Sequence, residues 1–176
     1  MPKRSPQSVP NPRISASGEF GRLAETLVAR WLVQQGATIL QQRWRCRWGE
    51  LDLVAQLPES SGAAATLAFV EVKARRNAGW DAGGLLAVTP QKQAKLWQAA
   101  ELFLAEYPEW AAGNCRFDVA LVAGRSRSVE SPDSPAQDTS PDCSLPDGTI
   151  RLGHPVAIAH YTLTLQHYLP NAFGHL

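Results

Sequence analysis

No stretch of this 176-residue sequence approaches the roughly 18 consecutive apolar residues of a membrane-spanning helix, which argues against a membrane partner or a membrane-spanning chain. The N-terminus carries Lys3 and Arg4 but continues in Ser, Pro and Asn, without the apolar core of a secretory signal. Cysteine is scarce. Cys46, Cys115 and Cys143 are odd in number and show no paired spacing, so neither a disulfide framework nor a cysteine zinc site follows. A reduced, cytoplasmic setting is expected. The four histidines, His154, His160, His167 and His175, match no zinc-ligand spacing. A phosphate-binding glycine loop, a Ser/His/Asp elbow and internal repeats are also missing. Charge of one sign is lacking too, since the formal net charge is only +1. Residues 1–118 carry 14 Lys and Arg against 11 Asp and Glu, and the remainder carries 3 against 5. Any basic surface is therefore local.

What is present is ordinary globular composition, 44% hydrophobic and 19% charged, in a chain long enough for one domain with a real core. Residues 1–16, with Pro2, Pro6, Pro10 and Pro12, read as a disordered tail. Residues 17–176 read as a single domain, interrupted at 125–147 by a Ser-, Pro- and Asp-rich disordered insertion. From Ser17 onward, Phe20, Leu23, Ala24, Leu27, Val28, Trp31 and Leu32 recur at helical spacing, and Gly36 is placed to terminate that helix. Thr89-Pro90 predicts a second helix start, with Leu96, Ala99, Ala100, Phe103, Leu104 and Tyr107 buried and Pro108 as the stop. On this helix Lys92 and Lys95 read as solvated.

The chain is organised around residues 49–73. Gly49–Leu57 and Leu67–Lys73 read as two short strands separated by the turn formers Pro58-Glu59-Ser60-Ser61-Gly62. A period of two places Leu51, Leu53, Ala55 and Leu57 on one face of the first strand, with Glu50 and Asp52 on the other. In the second strand Phe69, Glu71 and Lys73 share a face. Paired as a hairpin, the two strands bring Asp52, Glu71 and Lys73 together. Two carboxylates about 5 Å apart repel by roughly 3 kcal/mol at an effective dielectric near 20, so a proton, Lys73 or a metal ion must offset them. Hard divalent ions are held by one or two carboxylates in this manner, and a lysine about 7 Å along the strand can orient a water. The same residues also suit a salt-bridge ladder on a solvated sheet face.

Other stretches also admit two readings. Glu25 borders the apolar stripe of the first helix, where it can lean over the sheet or simply accompany Arg22 or Arg30. Thr38–Trp44 reads as the first strand, running into Arg43-Trp44-Arg45-Cys46-Arg47-Trp48. In extended chain Arg43, Arg45 and Arg47 form one row, suited to a phosphate backbone with indoles supporting bases. An edge hairpin whose arginines snorkel over Trp44 and Trp48 explains the row equally well. Arg75 and Arg76 open a glycine-bearing loop, through Gly84, beside the site; it is either a substrate-contacting flap or a long connection. Arg116–Ala123 reads as a strand with Phe117, Val119 and Leu121 inward and Asp118 paired to a neighbour, and one or two last strands follow Ile150.

Assembled, the pattern resembles the PD-(D/E)xK nuclease superfamily. More closely, it is similar to the YraN-like bacterial family, whose sequences resemble archaeal Holliday-junction resolvases. The match is carried by Gly21 and Glu25, by Arg43–Val54, by Phe69–Arg75, by Arg116–Val119 and by Asn171-Ala172-Phe173, in order along most of the chain. The resemblance implies an α/β, restriction-endonuclease-like fold: a mixed β-sheet flanked by helices, with an α-β-β-β-α-β core. It implies Mg²⁺ or Mn²⁺ held by Asp52, Glu71 and the backbone carbonyl of Val72, with Glu25 supporting that ion or a second one. Lys73 would then position the attacking water. Glu50 lies in the matching Gly-Glu-Leu-Asp stretch. Leu51 departs from the superfamily's proline, Ala24 from a usual glycine, and the 125–147 insertion from the family pattern.

The function this implies is metal-dependent hydrolysis of DNA phosphodiester bonds, on branched or damaged DNA, with RNA left open as a partner. Arg43, Arg45, Arg47, Arg75 and Arg76 are the expected nucleic-acid contacts, and junction cleavage calls for a homodimer. The alternative is a non-catalytic nucleic-acid-binding or scaffold protein that retains the fold. A third class, a structural partner using Trp80 and Trp110, rests on aromatic exposure alone.

Overall fold

The structure, a computed structural model, describes residues 16–58, 65–76, 88–127 and 148–174. Residues 1–15 of the expected tail, the glycine-bearing loop from residue 77 with Trp80, and most of the expected insertion lie outside these residues.

Helix α1 (Ala16–Gln34) forms where the apolar stripe predicts it, and it buries Phe20, Leu23, Ala24, Leu27, Val28 and Leu32. It ends in a Schellman motif. The Gly36 N–H donates to the Val33 carbonyl and the Ala37 N–H to the Leu32 carbonyl, with Gly36 at φ 87°, a conformation that costs glycine little. Helix α2 (Pro90–Glu106) begins at the N-cap Thr89, whose side chain accepts the Lys92 N–H, and carries Pro90 in its first turn. Leu96, Ala99, Ala100 and Phe103 form its buried face.

Between the helices lies one sheet of six strands: β1 (Thr38–Cys46), β2 (Gly49–Leu57), β3 (Thr66–Arg76), β4 (Asn114–Ser126), β5 (Pro155–Ile158) and β6 (Tyr161–Leu169). Their spatial order is β1-β2-β3-β4-β6-β5. Among the described strands only β3 and β4 are parallel, and α2 makes the crossover that a parallel pair requires. The α-β-β-β-α-β order and the mixed sheet flanked by helices agree with the restriction-endonuclease-like arrangement, to which β5 and β6 add an outer edge.

The two sheet faces are separate cores. On the α1 face, Leu53, Ala55, Ala68, Val70, Ala120, Val122, Leu163 and Leu165 meet the helix stripe. On the α2 face, Leu51, Val54, Phe69, Phe117, Val119 and Leu121 pack with Phe103, and Trp44 of β1 meets Phe103 edge to face at 5.4 Å. Asp118, fully buried, accepts from Arg116, from the Tyr168 hydroxyl at 2.6 Å and from the Asn171 N–H at 2.8 Å, as its expected pairing role requires. That carboxylate ties the chain after β6 to the centre of the sheet.

The ends of β3 differ from expectation, since the strand starts at Thr66 and Arg75 and Arg76, read as opening the loop, pair with Ala123 and Gly124 of β4. Three further features differ. Strand β1 continues to Cys46, two residues beyond Trp44, because the Arg45 and Cys46 positions still pair with Glu50 and Gly49. The insertion does not begin at 125. Arg125 and Ser126 pair with Thr162 and Tyr161, and the Arg127 N–H donates to the His160 carbonyl. The third difference bears on the site. Alternation places Leu51 on the face of Leu53, yet it belongs to the α2 core while Leu53 belongs to the α1 core. Period-two alternation therefore breaks at Asp52.

Candidate metal centre

The break has a partner across the hairpin. Pairing of β1 with β2 runs through Gln42–Leu53 and resumes at Trp44–Leu51, and the Arg43–Asp52 position between them is not paired. Arg43 has φ 54°, a left-handed conformation that costs a residue with a Cβ about 1–2 kcal/mol. At the same level β2 changes face between Leu53 and Leu51. Glu50 consequently leaves the α2 face and points to the α1 side, where Glu25 projects from its helix.

A second gap opens on the other edge of β2. Its ladder with β3 ends at Leu53–Val70, so the next residues, Asp52 and Glu71, flank the point where the strands separate. There the Asp52 carboxylate takes over the role of a strand carbonyl: Oδ2 accepts the Val72 N–H at 2.8 Å. Both gaps meet at Asp52.

Around it the charges sort into two groups. On the α1 side, Arg43 Nη1 donates to both Glu25 oxygens at 3.1 Å, and its Nη2 lies 2.9 Å from Glu50 Oε1. Arg45 Nε completes the group at 2.6 Å from Glu50 Oε2. On the α2 side, Lys73 Nζ lies 2.7 Å and Lys92 Nζ 3.2 Å from the same atom, Glu71 Oε1. Glu71 is 4% exposed, and its other oxygen, Oε2, is buried without a hydrogen-bond partner among the described residues. A carboxylate oxygen left so is costly and rare.

Burial is the main reason that the Asp52 carboxyl is pushed up to about 7; the neighbouring Glu71 adds to it, and the Val72 N–H opposes it. Glu25 and Lys92 act more weakly on Asp52, the first raising it and the second lowering it. Burial also raises Glu25, against the pull of Arg43. One oxygen from each of Glu25, Glu50 and Asp52 lies within 4.8 Å of the others, a spacing that one hard cation could span.

Of the residues singled out in the sequence, Glu25 and Asp52 lie in one carboxylate group with Glu50, Lys73 pairs with Glu71, and Val72 reaches Asp52 through its N–H. The arginines are distributed differently. Arg43 and Arg45 converge on Glu50, but Arg47 lies in the turn beyond β1, so the three do not form one row. Arg43 and Arg45 serve the glutamates, while Arg47 lies over the Trp48 ring at 5.3 Å, the snorkelling alternative. Arg75 is exposed near the end of β3. Arg76 lies on the α1 side over the Phe20 and Tyr161 rings, 5.1 and 5.5 Å from their centroids.

Two residues exceed the sequence reading. Glu50 joins the carboxylate cluster, and Lys92, read as solvated, reaches Glu71 instead. A signal for Lys92 was available. In a β-α-β crossover the first turn of the helix returns over the C-terminal part of the preceding strand, where Glu71 and Lys73 stand. Lys95, one turn further on, is exposed as expected.

Residues 24–122 match the model of a family described as "Uncharacterised protein family UPF0102". The chain belongs to this family. A UPF0102 protein of Synechocystis sp. is 43% identical over 156 residues, covering 89% of this chain and 98% of its own length. Relatives from Acaryochloris marina and Trichodesmium erythraeum are 43% and 44% identical, the first covering 94% of this chain and 96% of its own length, the second 91% of each. The matched UPF0102 region contains every carboxylate and lysine of the site described above. No helix among the described residues is long and apolar enough to cross a membrane.

Proposed function

We propose that this UPF0102 protein is a metal-dependent nuclease of the PD-(D/E)xK superfamily, hydrolysing phosphodiester bonds of DNA. The observation that carries the reading is Glu71. Its Oε1 holds two ammonium groups while its Oε2 is buried and unpartnered among the described residues, near the half-buried carboxylate of Asp52. A donor set made only of carboxylate oxygens fits Mg²⁺ or Mn²⁺, and such an ion would satisfy the orphaned oxygen. Asp52 and Glu71 would hold it, with Glu25 and Glu50 within reach of a second position and the Val72 carbonyl as a further oxygen.

Such an ion supplies polarisation of the phosphate. The chain's own groups do the rest. Lys73 holds the attacking water in line with the phosphorus, and its charge favours the negative phosphate oxygens as the bond to the leaving sugar oxygen breaks. Val72 fixes Asp52 through its N–H, so the carboxylate is oriented before any ligand arrives. Arg43 and Arg45 neutralise Glu25 and Glu50, limiting repulsion toward the phosphate backbone. Arg47 and Arg75, at the edge of the site, are the arginines best placed to meet phosphates of the strand. Branched or damaged DNA is the substrate class that the superfamily resemblance suggests, and a dimer would be needed for symmetric junctions.

One observation favours the scaffold alternative: Arg43, Arg45, Lys73 and Lys92 all have carboxylate partners already, so the cluster is largely neutralised without a ligand. The experiment that separates the two is incubation with linear, nicked, flapped and four-way DNAs in Mg²⁺ and in EDTA. Mg²⁺-dependent cleavage of any substrate, abolished in Asp52→Asn, supports the nuclease. No cleavage of the whole panel, with DNA still bound, supports the scaffold.

A further inference from the structure

Two lysines share one oxygen of Glu71, and they reach it from different elements. Lys73 sits two residues along the same strand and face, so its ammonium travels with Glu71 through any adjustment of β3. Lys92 comes from the first turn of α2. Its backbone N–H is bound to Thr89 Oγ1, and Pro90 restricts the turn, so the root of its side chain is fixed independently of β3. A partner anchored on another element limits the rotation of Glu71 in a way that a same-strand neighbour does not.

We infer that Lys92 is a positioning residue, which pins Glu71 through Oε1 so that Oε2 stays presented to the metal ion when Lys73 turns to the water. This inference rests on the proposed metal centre. Lys73 has one ammonium for two tasks, the Glu71 carboxylate and the attacking water. Lys92 relieves it of the first. Docking the start of α2 thereby sets the geometry of a ligand on β3.

The two lysines then have opposite effects on metal affinity, whereas two equivalent nearby charges would have the same effect. Removing a positive charge beside a cation site by itself tightens cation binding. Lys73→Ala leaves Glu71 pinned by Lys92, so Mn²⁺ should bind as tightly as in the parent or more tightly. Lys92→Ala removes the outer support of a metal-binding carboxylate, and Mn²⁺ should bind about tenfold to a hundredfold more weakly. Lys92→Gln keeps a donor without the charge and should recover part of that affinity, and Lys92→Arg should recover more.

Calorimetric titration of Mn²⁺ into the parent and these variants, each checked by circular dichroism for folding, reads this without recourse to cleavage. Weaker binding in Lys92→Ala with recovery in Lys92→Gln supports the inference. Equal or tighter binding in Lys92→Ala, or in Lys92→Gln should the alanine variant not fold, overturns it and leaves the metal centre standing. No saturable Mn²⁺ binding by the parent overturns both the inference and the proposed function.

Discussion

Asp52 accepts the Val72 N–H at 2.8 Å at the place where β2 and β3 cease to pair, so a side chain fills the position of a strand carbonyl. That bond lowers the Asp52 carboxyl, yet burial and Glu71 outweigh it and the group stands at about 7. The folded protein therefore keeps a proton on Asp52 at pH values where the unfolded chain, near 3.8, has released it. The stabilising contribution of this group is complete below the unfolded value and is lost as pH rises through the folded one.

The first prediction follows from that sign. In metal-free buffer the parent's melting temperature should fall between pH 5 and pH 8. Asp52→Asn, which cannot ionise, should flatten that dependence and melt higher than the parent at pH 8. Thermal melts at several pH values measure it. Parallel curves for the two proteins would show that Asp52 is not the titrating group.

Arg43 neutralises two glutamates while occupying a left-handed conformation. Arg43→Ala should cost roughly 1–3 kcal/mol of stability, the range for deleted charged hydrogen bonds. Arg43→Gly should do better than alanine, because glycine removes the backbone strain while giving up the same ion pairs. Urea denaturation of both variants gives the comparison. An alanine variant as stable as the glycine variant would mean that the turn at Arg43 relaxes without cost.

The buried Asp118 gives a test away from the site. Tyr168→Phe removes a 2.6 Å hydrogen bond to a fully buried carboxylate and should destabilise the fold by about 1.5–3 kcal/mol. A loss well below that range in urea denaturation would show that Arg116 and the Asn171 N–H satisfy Asp118 alone.

For DNA binding, the arginines outside the carboxylate cluster carry the expectation. Arg47→Ala with Arg75→Ala should flatten the salt dependence of duplex binding by up to about 0.9 log unit for each phosphate no longer neutralised. Fluorescence anisotropy across a salt series reads the slope. An unchanged slope returns Arg47 to a hairpin surface residue resting on Trp48.

Much of this architecture is legible in the sequence because local rules are obeyed. The stripe from Phe20 to Leu32, Gly36 after it and Thr89-Pro90 before α2 each act as their types predict. Glu25, Asp52, Glu71 and Lys73 are legible as a set through the spacing of two strands and the family resemblance. What escapes is non-local. Alternation alone cannot foresee a left-handed arginine, so it puts Leu51 on the wrong face and turns Glu50 away from Glu25. The row of three arginines is cut short because β1 ends at Cys46 and Arg47 falls in the turn. Lys92 is hidden because its own helix face is amphipathic and partly solvated; only the crossover carries it to Glu71.

The central claim is that Asp52 and Glu71 hold a divalent ion through oxygens that include Glu71 Oε2. Calorimetric titration of Mn²⁺ into the parent and into Glu71→Gln tests it most directly. The account predicts saturable binding by the parent and a weakening of at least about tenfold in the variant, whose amide carries less charge and is a poorer metal ligand. Absent heat in the parent, or an affinity unchanged by Glu71→Gln, would contradict it.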